Sequence, residues 1–238
     1  MMGSTKLWFA KNYQAFARWK GFNFELPKVQ NSDPAIPFIP LEGELDALIA
    51  ASGKKLSAFL LLLKETGARC GELWRLQWID LDTEAGTVNI RPEKGSHSRQ
   101  VKLSPRLLAK LNALSKPGPH LFGKSLLESM RTNLQYSRKR LAEKLQNPRI
   151  LRIHFHSFRH WKATSTYHRT KDLLFTQKVL GHRDIKSTLV YTHLVNWENP
   201  DDYHCKTAKT IPEATELVEA GFEYVTELDG VKLFRKRK

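Results

Sequence analysis

Cysteine is almost missing from this 238-residue chain, which holds only Cys70 and Cys205. A single pair cannot frame a disulfide-stabilised fold at this length. Neither residue has another cysteine at a zinc-finger spacing. That usage points to a reducing, cytoplasmic compartment. Long apolar runs are missing too. The longest, Phe59-Leu60-Leu61-Leu62-Leu63, is far too short to span a bilayer, so no membrane partner is expected. The opening Met1-Met2-Gly3-Ser4 lacks the apolar segment of an export signal. Internal repeats and low-complexity segments are also lacking. Acidic residues are scarce relative to basic ones: 24 Asp and Glu face 39 Lys and Arg, a net charge of +15. Such a surplus implies a polyanionic partner, because each phosphate contact releases counterions.

Hydrophobic residues make up 41% of the chain, enough for a packed core. Residues 5–20 read as a short amphipathic helix carrying Leu7, Trp8, Phe9, Phe16 and Trp19. Residues 21–40 hold Pro27, Pro34, Pro37 and Pro40 and read as an extended linker. The apolar period predicts helices over 41–52 and 56–66, with Gly67 as a stop, and a short helix from about Gly71. Residues 87–91 and 99–103 alternate as strands of a hairpin around the basic loop 92–98. Helices are expected over 105–115, 125–146, 157–169, 172–180 and 184–195. Near the end, 222–227 and 231–234 flank Asp229-Gly230, a hairpin-turn signal, before the tail 235–238.

Breaking a phosphodiester without a metal needs an in-line nucleophile, fixed cations for the non-bridging oxygens, and a proton for the leaving oxygen. Arginine forks suit the oxygens, lysine or histidine suits the proton, and tyrosine suits attack if a cationic site favours its phenolate. That set occurs in order: Arg69 to Glu72 in Thr66-Gly-Ala-Arg-Cys-Gly-Glu-Leu73, then Lys94-Gly95, His156-Ser-Phe-Arg-His160, Leu180-Gly-His182, and Tyr191.

These stretches, over roughly residues 38–195, closely resemble the tyrosine recombinases, the phage and plasmid integrases. The nine-residue step from His182 to Tyr191 is also the family's, and the stretch from Glu213 to Lys238 resembles archaeal members. The resemblance implies a mainly α fold with a small antiparallel β-hairpin or three-stranded sheet. It implies that residues 34–238 form the catalytic domain. Residues 1–33 would be a short helix and linker, the remnant of a core-binding domain. It further implies that Arg69 and Arg159 clamp the scissile phosphate and that Glu72 supports them. Lys94 would protonate the 5′ oxygen, and His156 would bond the phosphate or take the tyrosine proton. His182 would be a further phosphate donor. Tyr191 would form a 3′-phosphotyrosine without metal, cofactor or ATP. Double-stranded DNA would be the partner, with a homo-tetramer on DNA, a monomer without it, and nucleoid association in the cytoplasm.

Other readings of the same residues stay open. Arg91, Arg99 and Lys102 rival Lys94. His154, His156 and His160 cluster at a spacing that also suits a metal, and His160 reads more simply as a packed, hydrogen-bonded helix residue. Tyr167, Tyr203 and Tyr224 rival Tyr191, which alone follows Leu-Gly-His at the family's distance. Arg131, Arg138, Lys139 and Arg140 on the basic helix 125–146 read as DNA-backbone contacts or as a solvated face. A type IB topoisomerase-like activity and a non-catalytic DNA-binding regulator are the alternative functions.

Overall fold

The computed structural model describes residues 3–26, 37–93, 96–123, 127–192, 203–228 and 230–237. Two compact units divide the chain, Met1–Phe38 and Ile39–Lys238. In the first, helix α1 (Gly3–Trp19) ends just before Gly21, whose φ of 79° is left-handed. The chain then turns back so that Phe24 meets Tyr13 edge-on at 4.8 Å. Residues 27–36 of the expected linker lie outside the described residues.

The second unit is built around one apolar helix. Helix α3 (Lys54–Thr66) is buried on every side from Leu56 to Leu63, as a helix apolar all round must be. Around it pack α2 (Glu42–Ala51), α4 (Cys70–Trp74), α5 (Pro105–Asn112), α6 (Leu127–Leu145) and α7 (Phe155–Thr170). Phe59 of α3 is the hub, meeting the rings of Trp74, Phe122 and Phe155 edge-on at 5.0–5.8 Å. On α2, Leu45, Leu48 and Ile49 bury the 3- and 4-residue period. Its Glu44 is also buried. Burial opposes the charge, but bonds from the Leu41 N–H, Asn147 and Arg149 outweigh it and hold the carboxyl below its usual range.

A three-stranded antiparallel sheet flanks this bundle, β1 (Leu81–Asp82), β2 (Thr87–Ile90) and β3 (Arg99–Lys102), in the order β1-β2-β3. Helix α8 (Leu173–Leu180) follows α7 and ends on Gly181 at φ 67°. Of the expected helix over 184–195, the described residues 184–192 hold one turn, α9 (Lys186–Leu189). After it the bonds tighten to i→i+3, from Tyr191 N to Thr188 O and from Thr192 N to Leu189 O. The β-branched run Thr188, Val190 and Thr192 favours that break. Residues 193–202 lie outside the described residues.

The C-terminal part is a second antiparallel sheet, β4 (Tyr203–Ala208), β5 (Glu223–Leu228) and β6 (Val231–Arg237), in the order β4-β6-β5. The expected C-terminal hairpin is present as β5 and β6 and is part of this larger unit, with 235–237 continuing its second strand. Helix α10 (Ile211–Glu219) joins β4 to β5. The basic residues Arg235 and Lys236 therefore sit in the central strand, paired to Cys205 and His204. Among the described residues, no helix is long and apolar enough to cross a membrane.

Candidate active site

Arg69 caps the start of helix α4, and its extended backbone lets the Glu72 side chain fold back and accept its N–H at 3.0 Å. That cap buries Glu72, and two more donors reach it from the hairpin. Ser96 Oγ donates to Oε1 at 2.5 Å, and Arg99 Nη2 donates to Oε2 at 2.9 Å. Arg69 Nη1 lies 3.6 Å from Oε1 and, among the described residues, has no hydrogen-bond partner. Burial pushes the Glu72 carboxyl up, but Arg99, Ser96 and the Arg69 N–H together hold it below its usual range. The carboxylate is therefore charged at neutral pH, and it fixes both arginines.

The hairpin is tied on its other side to the turn after α8. Ser96 pairs with His182 in an isolated bridge, and the His97 N–H donates to Gly181 O at 3.0 Å. A Cβ at Gly181 would stand 2.7 Å from Arg99 Nη1 and 3.1 Å from His97 O, so the close approach needs glycine.

Arg159, on α7, is 1% exposed. Its Nη1 donates to Gly67 O at 2.7 Å and its Nη2 to Leu180 O at 3.0 Å. Gly67 offers that carbonyl because it closes α3 in the left-handed conformation, φ 62°. Two of the five guanidinium N–H groups are thereby spent on the fold. Burial and the neighbouring Arg69 and Arg99 lower its pKa to about 10, which leaves it protonated at neutral pH.

Three histidines surround this arginine, all pushed towards neutrality. His156 is lowered by burial, Arg159 and Arg69. His182 is lowered to about 3 by burial and then by Arg159, Arg69 and Arg99, and its Nδ1 lies 2.9 Å from Thr188 Oγ1. His160 is lowered to about 4 by burial, His156 and Arg159. Tyr191 is 3% exposed and packs with Ala163 and Leu180. Burial raises its phenol, against the pull of Arg159 and Arg69. Its hydroxyl lies 2.9 Å from His160 Nδ1.

Arg69, Glu72, His156, Arg159, His182 and Tyr191 thus converge from four separate segments. Three guanidiniums and one carboxylate leave a fixed positive excess that a bound anion would neutralise. Lys94 lies outside the described residues. Arg99, considered only as a rival to Lys94, proves to be the partner of Glu72. Ser96, Thr188 and His160 also belong to the site. His160 alone had a sequence signal, one turn after His156 and adjoining Arg159. Among the described residues, no three His, Cys, Asp or Glu side chains group as a metal site.

The basic face of α6 divides. Arg138 Nη1 donates to Leu151 O at 2.9 Å and Ile153 O at 2.6 Å, stapling the turn before α7. Arg131 pairs with Glu128 at 2.9 Å beside Cys70 and His156, in a groove next to the site. Arg140 donates to Ala51 O at 3.1 Å, and with Lys139 it lines a groove shared with Lys54 and Lys55.

The sequence profile of the phage integrase family matches residues 41–197. The tyrosine recombinase XerC of Xanthomonas campestris pv. campestris (strain B100) is 30% identical over 176 residues, 71% of this chain and 52% of that protein. The tyrosine recombinase XerA of Pyrococcus furiosus is 29% identical over 218 residues, 85% of this chain and 70% of that protein. The chain spans about half the length of the XerC relatives it matches. Among solved structures, the Tn1549 transposon integrase in complex with transposon right end DNA has a TM-score of 0.59 at 16% identity. It covers 90% of this chain and 84% of its own. The XerA recombinase crystal structure has a TM-score of 0.57 at 24% identity, covering 79% of this chain and 70% of its own. These two likenesses concern the fold. With the profile covering well over half of its residues, the chain belongs to the phage integrase family, the tyrosine recombinases.

Proposed function

We propose that this chain cleaves and rejoins double-stranded DNA at a specific site, with Tyr191 as nucleophile. The observation that carries the reading is a buried tyrosine beside two arginines, Arg159 and Arg69, in a site with a positive excess. Tyr191 Oη attacks phosphorus, the bond to the 5′ oxygen breaks, and a 3′-phosphotyrosine forms. The free N–H groups of Arg159 and Arg69 take the charge growing on the non-bridging oxygens. His156 and His182 add neutral donors, and Glu72 keeps Arg69 aimed. Lys94 supplies the proton to the 5′ oxygen, a role that rests on the resemblance. Reversal by another 5′ hydroxyl rejoins the strand. The bond energy is conserved in the phosphotyrosine, so no ATP is needed.

Recombinases related to this chain in fold are seen with DNA, as the Tn1549 integrase is. We assign the same class of partner here, with a tetramer on DNA, a monomer without it, and nucleoid association in the cytoplasm. Lys139, Arg140 and Arg131 on the open side of α6 contact the backbone. The test is covalent trapping on nicked duplex DNA in EDTA, for wild type and Tyr191→Phe. An adduct seen with wild type and lost in the variant is expected. An adduct that persists in Tyr191→Phe would refute the assignment. Relaxation of supercoils without exchanged product would favour the topoisomerase-like alternative.

A further inference from the structure

When Tyr191 Oη bonds to phosphorus its proton must go somewhere, and it must come back on rejoining. The resemblance nominates His156. Among the described residues, no hydrogen bond joins His156 to the tyrosine, whereas His160 Nδ1 lies 2.9 Å from the hydroxyl. His160 is held in place from two sides. It sits on α7 next to the anchored Arg159, and the His156 ring meets it edge-on at 4.5 Å and 89°. Tyr191 is buried and His160 is half-buried, which limits the other acceptors for the proton.

We propose that His160 is the base that takes the Tyr191 proton during strand cleavage and returns it on rejoining. This rests on the reading of Tyr191 as nucleophile. In cleavage the Oη–P bond forms and the P–O5′ bond breaks. The phenolic proton passes to His160 Nδ1, giving an imidazolium, and a separate acid protonates O5′. In rejoining the 5′ hydroxyl attacks phosphorus and gives its proton to that acid. Tyr191 Oη leaves and recovers the proton from His160.

The charges around the pair suit this cycle. His156 and Arg159 on α7, with burial, keep the resting imidazole neutral. Nδ1 then offers a lone pair, the tyrosine O–H donates to it, and Nε2 carries the ring proton. From α4, Arg69 acts with Arg159 on the tyrosine side of the pair. A DNA phosphate in the arginine clamp offsets their charge. That raises the basicity of His160 at the moment a base is needed.

The test uses the full chain and a pool of nicked duplexes with randomised arms. Members trapped by wild type are recovered on denaturing gels, and one is carried forward. If wild type traps none, the nucleophile reading itself fails, before any His160 variant is made, and this proposal falls with it. On the recovered duplex, His160→Gln should slow adduct formation by about 100-fold or more. DNA affinity should hold, and the acid limb of the pH–rate profile should disappear. His160→Ala should regain part of its rate with added imidazole, which a merely structural role does not allow. A His160→Gln rate within about threefold of wild type across pH overturns the proposal. Should the variants fail to fold, 15N NMR of histidine-labelled wild type decides. An unprotonated Nδ1 that shifts in Tyr191→Phe supports the assignment, and a protonated Nδ1 removes it.

Discussion

Replacing Glu72 with glutamine keeps the shape of the side chain and deletes the negative charge among Arg69, Arg99 and Arg159. Three donors converge on this carboxylate: the Arg69 N–H, Ser96 Oγ and Arg99 Nη2. An amide offers one acceptor oxygen and turns an NH2 towards the remaining donors. Its oxygen can keep the Arg69 N–H and Arg99 while Ser96 Oγ turns to Glu93 O, 3.0 Å away, but Arg99, whose side chain is 8% exposed, is left without an anionic partner. Breaking a buried pair in this way costs about 3–5 kcal/mol. For a chain of this length that lowers Tm by roughly 6–20 °C. The assay is thermal unfolding of both proteins across pH. The folded pKa of Glu72 lies below its unfolded value of 4.5. The carboxylate therefore stabilises fully above that value, and its contribution fades as pH falls through the folded pKa. The gap between wild type and Glu72→Gln should be widest near neutrality and narrow in acid. A variant that melts within about 1 °C of wild type at pH 7, a small fraction of that shift, would refute the claim that this carboxylate holds the arginines.

Other substitutions separate structural cations from those proposed to face DNA. Arg159→Lys should reduce adduct formation by about 100-fold or more, because one ammonium cannot span two carbonyls and still face a phosphate; trapping on nicked DNA reads it. Arg138→Ala should destabilise by about 1–3 kcal/mol in denaturant titrations, having lost its bonds to Leu151 O and Ile153 O. Lys139→Ala should leave stability unchanged and reduce the salt slope of DNA binding by about 1. Gly181→Ala should lower Tm by roughly 2–8 °C, from about 1–2 kcal/mol of left-handed strain and a displaced Arg99.

Much of the site was legible because its residues lie in short local patterns. Gly67 before Arg69, Arg159 three residues after His156, and Tyr191 nine after His182 are spacings that a linear reading detects. What supports those residues was not legible. Glu72 finds Ser96 and Arg99 across 24 and 27 residues, and Arg159 finds Gly67 across 92. No local period encodes such pairs. The one-turn α9 shows i→i+3 bonding and β-branching overriding an apparent helical period. At the C-terminus, α10 did carry a signal, Thr210 with Pro212 and Glu213, a capping box with proline in the first turn. Strand β4, in contrast, has the sequence Tyr-His-Cys-Lys-Thr-Ala. It shows little alternation, and its pairing with β6 depends on residues about 30 positions away.

Under the proposed cleavage of DNA, the two carbonyls that hold Arg159 also bear on when the chain would become dangerous to a chromosome. They belong to the ends of α3 and α8, and the arginine itself rides on α7. A folding intermediate, or a partly melted chain in which any of the three helices has parted from the others, has no aimed guanidinium. On the proposed reading, it would bind DNA through its surface charge without nicking it. Cutting competence would then require all three helices to be packed together. A damaged copy would fail by losing the clamp rather than by cutting where it should not.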